Sequence, residues 1–213
     1  MKIVQSQAEQ KRTENKELKA AREEAAQLRE TLALVQRENQ RYNIEAPGED
    51  NSITLGVISD LHYGSRYTER NTVKALFDTL KQAKVETVLI PGDILDGHNV
   101  YRGQVFEQTG RGIDEQIAFG KQFAKICPCP VKFITGNHDE SFKKAVGTEI
   151  GTMIADAYGW EYLGSESATL DIHTRNKRKY TVQLLHPGGG CAYAISYRLQ
   201  KIVEQLEGGR KPH

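Results

Sequence analysis

No stretch of this 213-residue chain approaches the ~20 consecutive apolar residues of a membrane-spanning helix, so a membrane partner is not expected. The N-terminus is polar and charged, without the apolar core of a secretory signal. Cysteine is scarce: Cys127, Cys129 and Cys191. An odd count without framework spacing argues against a disulfide scaffold and points to a reducing, cytoplasmic setting. Cys127-Pro128-Cys129 lacks the two-residue spacer of common metal and redox pairs, and is read as a helix-to-strand turn. An excess of one charge is also missing, the net value being +1. That balance is silent on nucleic acid, because a local basic face can hide inside a neutral total. What remains is 38% hydrophobic and 27% charged, enough for one ordinary domain plus an appendage.

Residues 1–42 contain no Gly or Pro and are dense in good helix formers. Apolar positions at Leu18, Ala21, Ala25, Leu28, Leu32 and Val35 alternate in steps of three and four, a short coiled-coil seam. Two readings stand: a solvated helix, or one that dimerises or docks a partner protein through residues 18–35. Residues 43–52 read as a linker rich in Pro, Gly, Asn, Ser and acids. Beyond it, in 53–213, strands alternate with helices. Strands are expected at 53–59, 87–90, 131–135 and 180–185, with shorter ones from 161 onward. Helices are expected at 68–83, 113–126, 148–158 and 192–206. On the first, Val73, Leu76, Phe77 and Leu80 share one face. The alternation implies an α/β domain around a mainly parallel sheet.

Four polar clusters stand directly behind expected strands: Asp60-Leu61-His62, Gly92-Asp93 with Asp96, Gly136-Asn137-His138-Asp139, and His186. Carboxyl ends of strands in α/β sheets line ligand crevices. The pattern therefore delivers Asp, His, Asp, Asn, His and His to one edge of one sheet. Oxygen and imidazole donors together suit borderline divalent metals such as manganese, iron and zinc. Asp60 and His62, two apart in an extended segment, can reach one ion. Asp93 can bridge two ions with its two oxygens. Gly92 and Gly136 sit where the backbone must turn beside the site.

The motifs SDLHYG, PGDILDG, TGNHDE and LLHPGGG resemble those of the calcineurin-like metallophosphoesterases. The resemblance implies a layered αββα sandwich holding two divalent metal ions, manganese first, with iron or zinc as alternatives. It implies that Asp60 and His62 hold the first metal, that Asp93 bridges, and that Asn137 and His186 hold the second. His138 would be the acid or transition-state stabiliser, with Asp139 orienting it and Asp96 in the outer shell. Phosphate esters would be hydrolysed by a metal-activated hydroxide. The family pattern closes with Gly-His-x-His, whereas this sequence closes with GGRKPH. The expectation is a C-terminally truncated domain.

The segment 96–118 forms a long loop leading into a helix. It is similar to the loop of the exonuclease-type small subunits of archaeal replicative DNA polymerases, and to phage-type phosphoesterases. Tyr101 and Arg102, with Arg66 and Tyr67, can stack on a base and pair with a phosphate, or can pin the loop. Gly188-Gly189-Gly190 is read as a turn that His186 needs. His98 and His173 are read as ordinary loop residues. The leading expectation is hydrolysis of phosphodiester bonds in nucleic acid, single-stranded DNA in particular. The alternatives are a phosphomonoesterase or nucleotide hydrolase and, from another class, a non-catalytic scaffold with a degenerate metal site.

Overall fold

A computed structural model of the chain describes residues 18–19, 41–46, 52–187, 200 and 202–204. Two compact units are separable, Met1–Gln40 and Arg41–His213. In the first, Leu18 and Lys19 are helical and exposed, and the rest of the seam expected at 18–35 lies outside the described residues. In the second, Gln200 and residues 202–204 are helical. The remainder of the helix expected at 192–206, together with Gly188–Gly190 and Cys191, lies outside the described residues. No helix among the described residues is long and apolar enough to cross a membrane.

The second unit is built on two sheets. Four parallel strands, β2 (Leu55–Val57), β3 (Thr87–Pro91), β4 (Val131–Thr135) and β5 (Glu161–Ser165), lie side by side in sequence order. Strands β1 (Arg41–Glu45), β6 (Ser167–His173) and β7 (Lys179–Leu185) form the second sheet, with β1 parallel and β7 antiparallel to β6. The described helices are α1 (Arg70–Gln82), α2 (Ile113–Ala124), α3 (Asn137–Val146) and α4 (Ile150–Tyr158).

Side chains alternate across a strand, and here the alternation feeds two cores. Val88, Ile90 and Phe133 pack with Phe77, Phe123, Ile150 and Ile154 in the core between the first sheet and the helices. Their neighbours Leu89 and Ile134 pack with Ile44, Leu170, Ile172 and Leu184 in the core between the sheets. A sheet covered on both faces explains the unbroken Val88-Leu89-Ile90 run of β3, while β4 interrupts its apolar residues with Lys132, which pairs with Glu161 on β5. The face expected of α1 is the face it buries, with Val73, Phe77 and Leu80 inward. This is the mixed α/β sandwich expected of the sequence, with the helical layer on the first sheet described.

One boundary differs. Residues 41–42 were expected in the helical extension and 43–45 in the linker, yet Arg41–Glu45 is a strand. Ile44 is buried between the sheets, and Ala46 is buried just beyond the strand. The Arg41 guanidinium makes two 2.7 Å bonds to the Asp171 carboxylate on β6. A five-residue strand with one inward apolar side chain carries little sequence signal. Its partner lies about 130 residues away, and only the folded sheet reveals it.

Candidate metal centre

Three of the four polar clusters leave the carboxyl ends of parallel neighbours β2, β3 and β4. The segment after β2 continues the parallel pairing beyond the strands. Asp60 N–H donates to Gly92 O at 3.3 Å, His62 N–H to Asp93 O at 3.1 Å and Tyr63 N–H to Ile94 O at 2.8 Å. Asp60, His62 and Asp93 all adopt positive φ, at 57, 45 and 54°. Non-glycine residues rarely hold that conformation, and when they do they cluster at functional sites. The fourth member corrects the expectation of a single sheet edge. His186 follows β7, which belongs to the other sheet, and its N–H donates to Glu166 O at 2.7 Å. Glu166 is the residue between β5 and β6, where the chain passes from one sheet to the other.

The donor atoms fall into two groups that share Asp93. Around one Asp93 oxygen, His62 Nε2 lies 3.9 Å from Asp93 Oδ2 and 3.8 Å from Asp60 Oδ1. Around the other, His186 Nε2 lies 3.4 Å from Asp93 Oδ1 and 2.9 Å from Asn137 Oδ1. His62, Asp93 and His138 each present a ligand atom, all within 4.8 Å of one another. His186 Nδ1 lies 2.9 Å from Pro91 O. Donating there places its proton on Nδ1 and turns a bare Nε2 toward the Asn137 oxygen. Two lone pairs facing each other at hydrogen-bond distance are what a shared cation would reconcile.

Electrostatics point the same way. The imidazole of His62, chiefly, holds the Asp60 carboxyl down at about 2, against the opposing effect of burial and with help from Ser59. Burial works against the charged form of His62, but Asp60, Asp93 and Asp96 together outweigh it and raise its pKa. Three carboxylates converge where Asp93 and Asp96 are nearly inaccessible to water, 4% and 3% exposed. An oxygen-and-imidazole set of this charge fits a divalent cation.

Asp139 has a different place from the one expected. It is fully buried, and its carboxylate bonds to backbone amides rather than to the His138 ring. Its carboxylate accepts N–H bonds from Leu95 at 2.7 Å, Gly136 at 2.9 Å and Ile94 at 3.2 Å. It therefore fastens the β3 loop to the start of α3. Burial pushes its carboxyl up to about 7, opposed by those same N–H groups. His138 Nδ1 instead lies 2.6 Å from the backbone carbonyl of Asp96. The physical reason is position: Asp139 is the third residue of α3 and folds back onto the N–H of Gly136 at the helix start, while the His138 ring reaches the Asp96 carbonyl. Asp96 Oδ1 lies 3.7 Å from His62 Nδ1.

The glycines are also sorted by the structure. Gly92 turns at φ 97°, as expected. Gly136 is extended and needs no special conformation (φ −107°, ψ −175°). It is required by proximity, since a Cβ there would stand 2.2 Å from Asp93 Oδ1.

An open cavity of about 640 Å³ lies over the cluster, lined by Asp60, His62, Asp96, His138, Tyr67 and Tyr101 among others. The Tyr101 ring centroid is 6.4 Å from that of His138, and its hydroxyl donates to Glu107 at 2.6 Å. Arg66 opens instead onto a neighbouring depression, its guanidinium 5.8 Å from the Tyr67 ring. Arg102 is exposed and lines neither hollow. His98 stacks on Phe142, His173 pairs with Asn43, and neither lines the cavity. Cys127 and Cys129 form the turn between α2 and β4, with Cys127 Sγ 3.5 Å from Cys129 O. Sequence reasoning passed over Thr68, whose hydroxyl contacts the carbonyls of Leu61 and His62 at 3.1 and 2.6 Å. It also passed over Gln108 and Gln116. A lone Thr or Gln has no spacing signature that marks it.

Residues 53–207 match the family model of the calcineurin-like phosphoesterases. No curated protein matches the chain significantly.

Proposed function

The chain belongs to the calcineurin-like phosphoesterase family, and from that premise we propose that it cleaves phosphodiester bonds of nucleic acid at a pair of divalent metal ions. Metal-dependent phosphoester hydrolysis is the general activity of the family. The observation that carries the two-ion reading is Asp93, whose two oxygens face two different imidazoles, His62 and His186. Asp60 and His62 would hold one ion and Asn137 and His186 the other, with manganese, iron and zinc all suited to these donors. Bound ions would supply Lewis acidity and acidify water at the site.

The protein's own groups supply the rest. Asp60 and Asp93 balance the positive charge. His138, anchored through Nδ1 on the Asp96 carbonyl, lines the cavity, where its protonated ring could hand a proton to the leaving oxygen. Tyr67 and Tyr101, 67% and 47% exposed on the cavity wall, offer flat faces on which bases stack. A phosphate-only substrate needs no such wall, which favours nucleic acid over a small phosphomonoester.

Hydrolysis of bis-p-nitrophenyl phosphate with manganese should be lost with a chelator and in Asp93→Ala. Single-stranded DNA should be degraded, and Tyr101→Ala should raise KM for DNA while sparing the small ester. Activity confined to free nucleotides would overturn the nucleic-acid reading. A manganese-loaded protein whose activity survives Asp93→Ala would overturn the site.

A further inference from the structure

The segment 96–110 is held by three glutamine side chains, and two of them converge on one residue. Gln104 is 1% exposed, and its Nε2 donates to the Asp96 carbonyl at 2.6 Å and to Asp96 Oδ2 at 3.3 Å. Gln108 Nε2 donates to the same Oδ2 at 2.8 Å and to Gly97 O at 2.8 Å. Asp96 in turn addresses both histidines over the cavity floor. Its carbonyl takes His138 Nδ1 at 2.6 Å, and its free carboxylate oxygen faces His62 Nδ1 at 3.7 Å. That His62 nitrogen is buried and has no hydrogen-bond partner among the described residues.

We infer that Gln104 and Gln108 are positioning residues, which hold Asp96 so that one residue sets the ring orientation and tautomer of both His62 and His138. Each link has a physical cause. A carboxylate with two lone-pair-bearing oxygens can face either ring nitrogen of a nearby histidine or swing away to water. Two amide donors on Oδ2 occupy one oxygen and leave Oδ1 aimed at His62 Nδ1. A proton is then favoured on Nδ1, which leaves Nε2 bare toward Asp60 and Asp93, the state a metal ligand requires. Gln104 also donates to the Asp96 carbonyl, so it fixes the acceptor that anchors His138. The loop that walls the cavity with Tyr101 thereby also supports the cavity floor.

Gln116 provides the contrast. It is fully buried and grips the same loop through Gly97 N–H, Gly97 O and Gly110 O, each at 3.0 Å, without bonding Asp96. Loss of Gln116 loosens the loop, whereas loss of Gln104 or Gln108 frees the Asp96 carboxylate.

The inference rests on the metal-centre reading, and the experiment separates the two. Mn²⁺ affinity of the full chain is measured by electron paramagnetic resonance of the free ion. The variants are Gln104→Met, Gln108→Met and Gln116→Met, each of similar size and without the amide donor. Thermal melts confirm folding. Gln104→Met and Gln108→Met should weaken Mn²⁺ binding about tenfold or more, the usual effect of removing support behind a ligand. Gln116→Met should lower the melting temperature and leave Mn²⁺ affinity within about twofold. Histidine ¹⁵N spectra of the metal-free protein give a second readout: the Nδ1–H form of His138 should give way to a mixture in Gln104→Met. Equal affinity in the wild type and both Asp96-facing variants would overturn the inference and leave the metal centre standing. The same loss in Gln116→Met would reduce the two residues to loop fasteners. A wild-type chain that binds no Mn²⁺ would remove both readings. If Gln104→Met fails to fold, Gln108→Met, on a less buried residue, decides.

Discussion

Replacing Gly136 by alanine adds a single methyl group at a crowded point of the candidate metal centre. The backbone there is extended, so no conformational penalty accompanies the change. The new Cβ would stand 2.2 Å from Asp93 Oδ1, 2.6 Å from Asp93 N and 2.8 Å from His186 Cε1. Ordinary contact needs about 3.5 Å, so the Asp93 oxygen and the His186 ring must retreat by roughly 1 Å. Neither is free to move. Asp93 Oδ1 accepts the His138 N–H at 3.0 Å, and His186 is anchored on Pro91 O at 2.9 Å. Overpacking of this kind costs about 1–3 kcal/mol. For a domain of this size, at roughly 2–4 °C per kcal/mol, the melting temperature should fall by about 2–12 °C. The more telling loss is in Mn²⁺ affinity, because the displaced atoms, Asp93 Oδ1 and the His186 ring, form one donor group and the Asp93 carboxylate also serves the other; it should drop about tenfold or more. Gly112→Ala is the matched control. Its φ is −89°, and the nearest atom to an added Cβ is 4.0 Å away. It should change stability by less than about 1 kcal/mol and affinity not at all. A Gly136→Ala protein with wild-type affinity and melting temperature would refute the close packing of Asp93 and His186 around this glycine.

Two further substitutions test the supports around the site. Asp139→Asn keeps the shape but turns an N–H₂ toward one of three backbone N–H donors, and should cost about 2–3 kcal/mol in a denaturant titration. An unchanged midpoint would show that the carboxylate does not fasten the β3 loop to α3. The Arg41–Asp171 pair tests β1. The hydrogen bonds from Arg41, chiefly, hold the Asp171 carboxyl well below its ordinary range. A lowered carboxyl pKa means that the folded state favours the ionised form. Its contribution is therefore complete above the unfolded value near 4 and is lost as pH falls below it. The stability advantage of the wild type over Asp171→Asn should be full at pH 6–7 and shrink steadily below about pH 4. A difference that does not vary with pH would refute the ionic reading of that pair.

The chemistry of this chain was legible in its sequence because it depends on residue type and on position behind a strand. Asp60, His62, Asp93, Asn137, His138 and His186 each follow a segment whose apolar residues mark a strand, although only β3 and β4 are buried along most of their length. Burial of strands is a local property that period and composition reveal. Partnership across the fold is different. Nothing in the residues near His186 says that β7 lies in the second sheet, because strand pairing is set by contacts between distant segments. Arg41–Glu45 reads as a helix end and a linker until Asp171 and Ile172 are placed beside it. Asp139 reads as the partner of its neighbour His138, but the first turn of α3 directs it to the amides of Ile94, Leu95 and Gly136. Gln104 closes the Tyr101-Arg102-Gly103-Gln104 element of the long loop and Gln108 carries no motif, and neither announces a contact with Asp96. Their role arises because the loop folds back on Asp96, whose carbonyl and carboxylate meet two histidines brought there from two other strands. Sequence determined which donor atoms exist and at which strand ends. Only tertiary structure decided which of them lie within reach of one another and which side chains hold them in place, since hydrogen-bond geometry depends on distances that chain order does not contain.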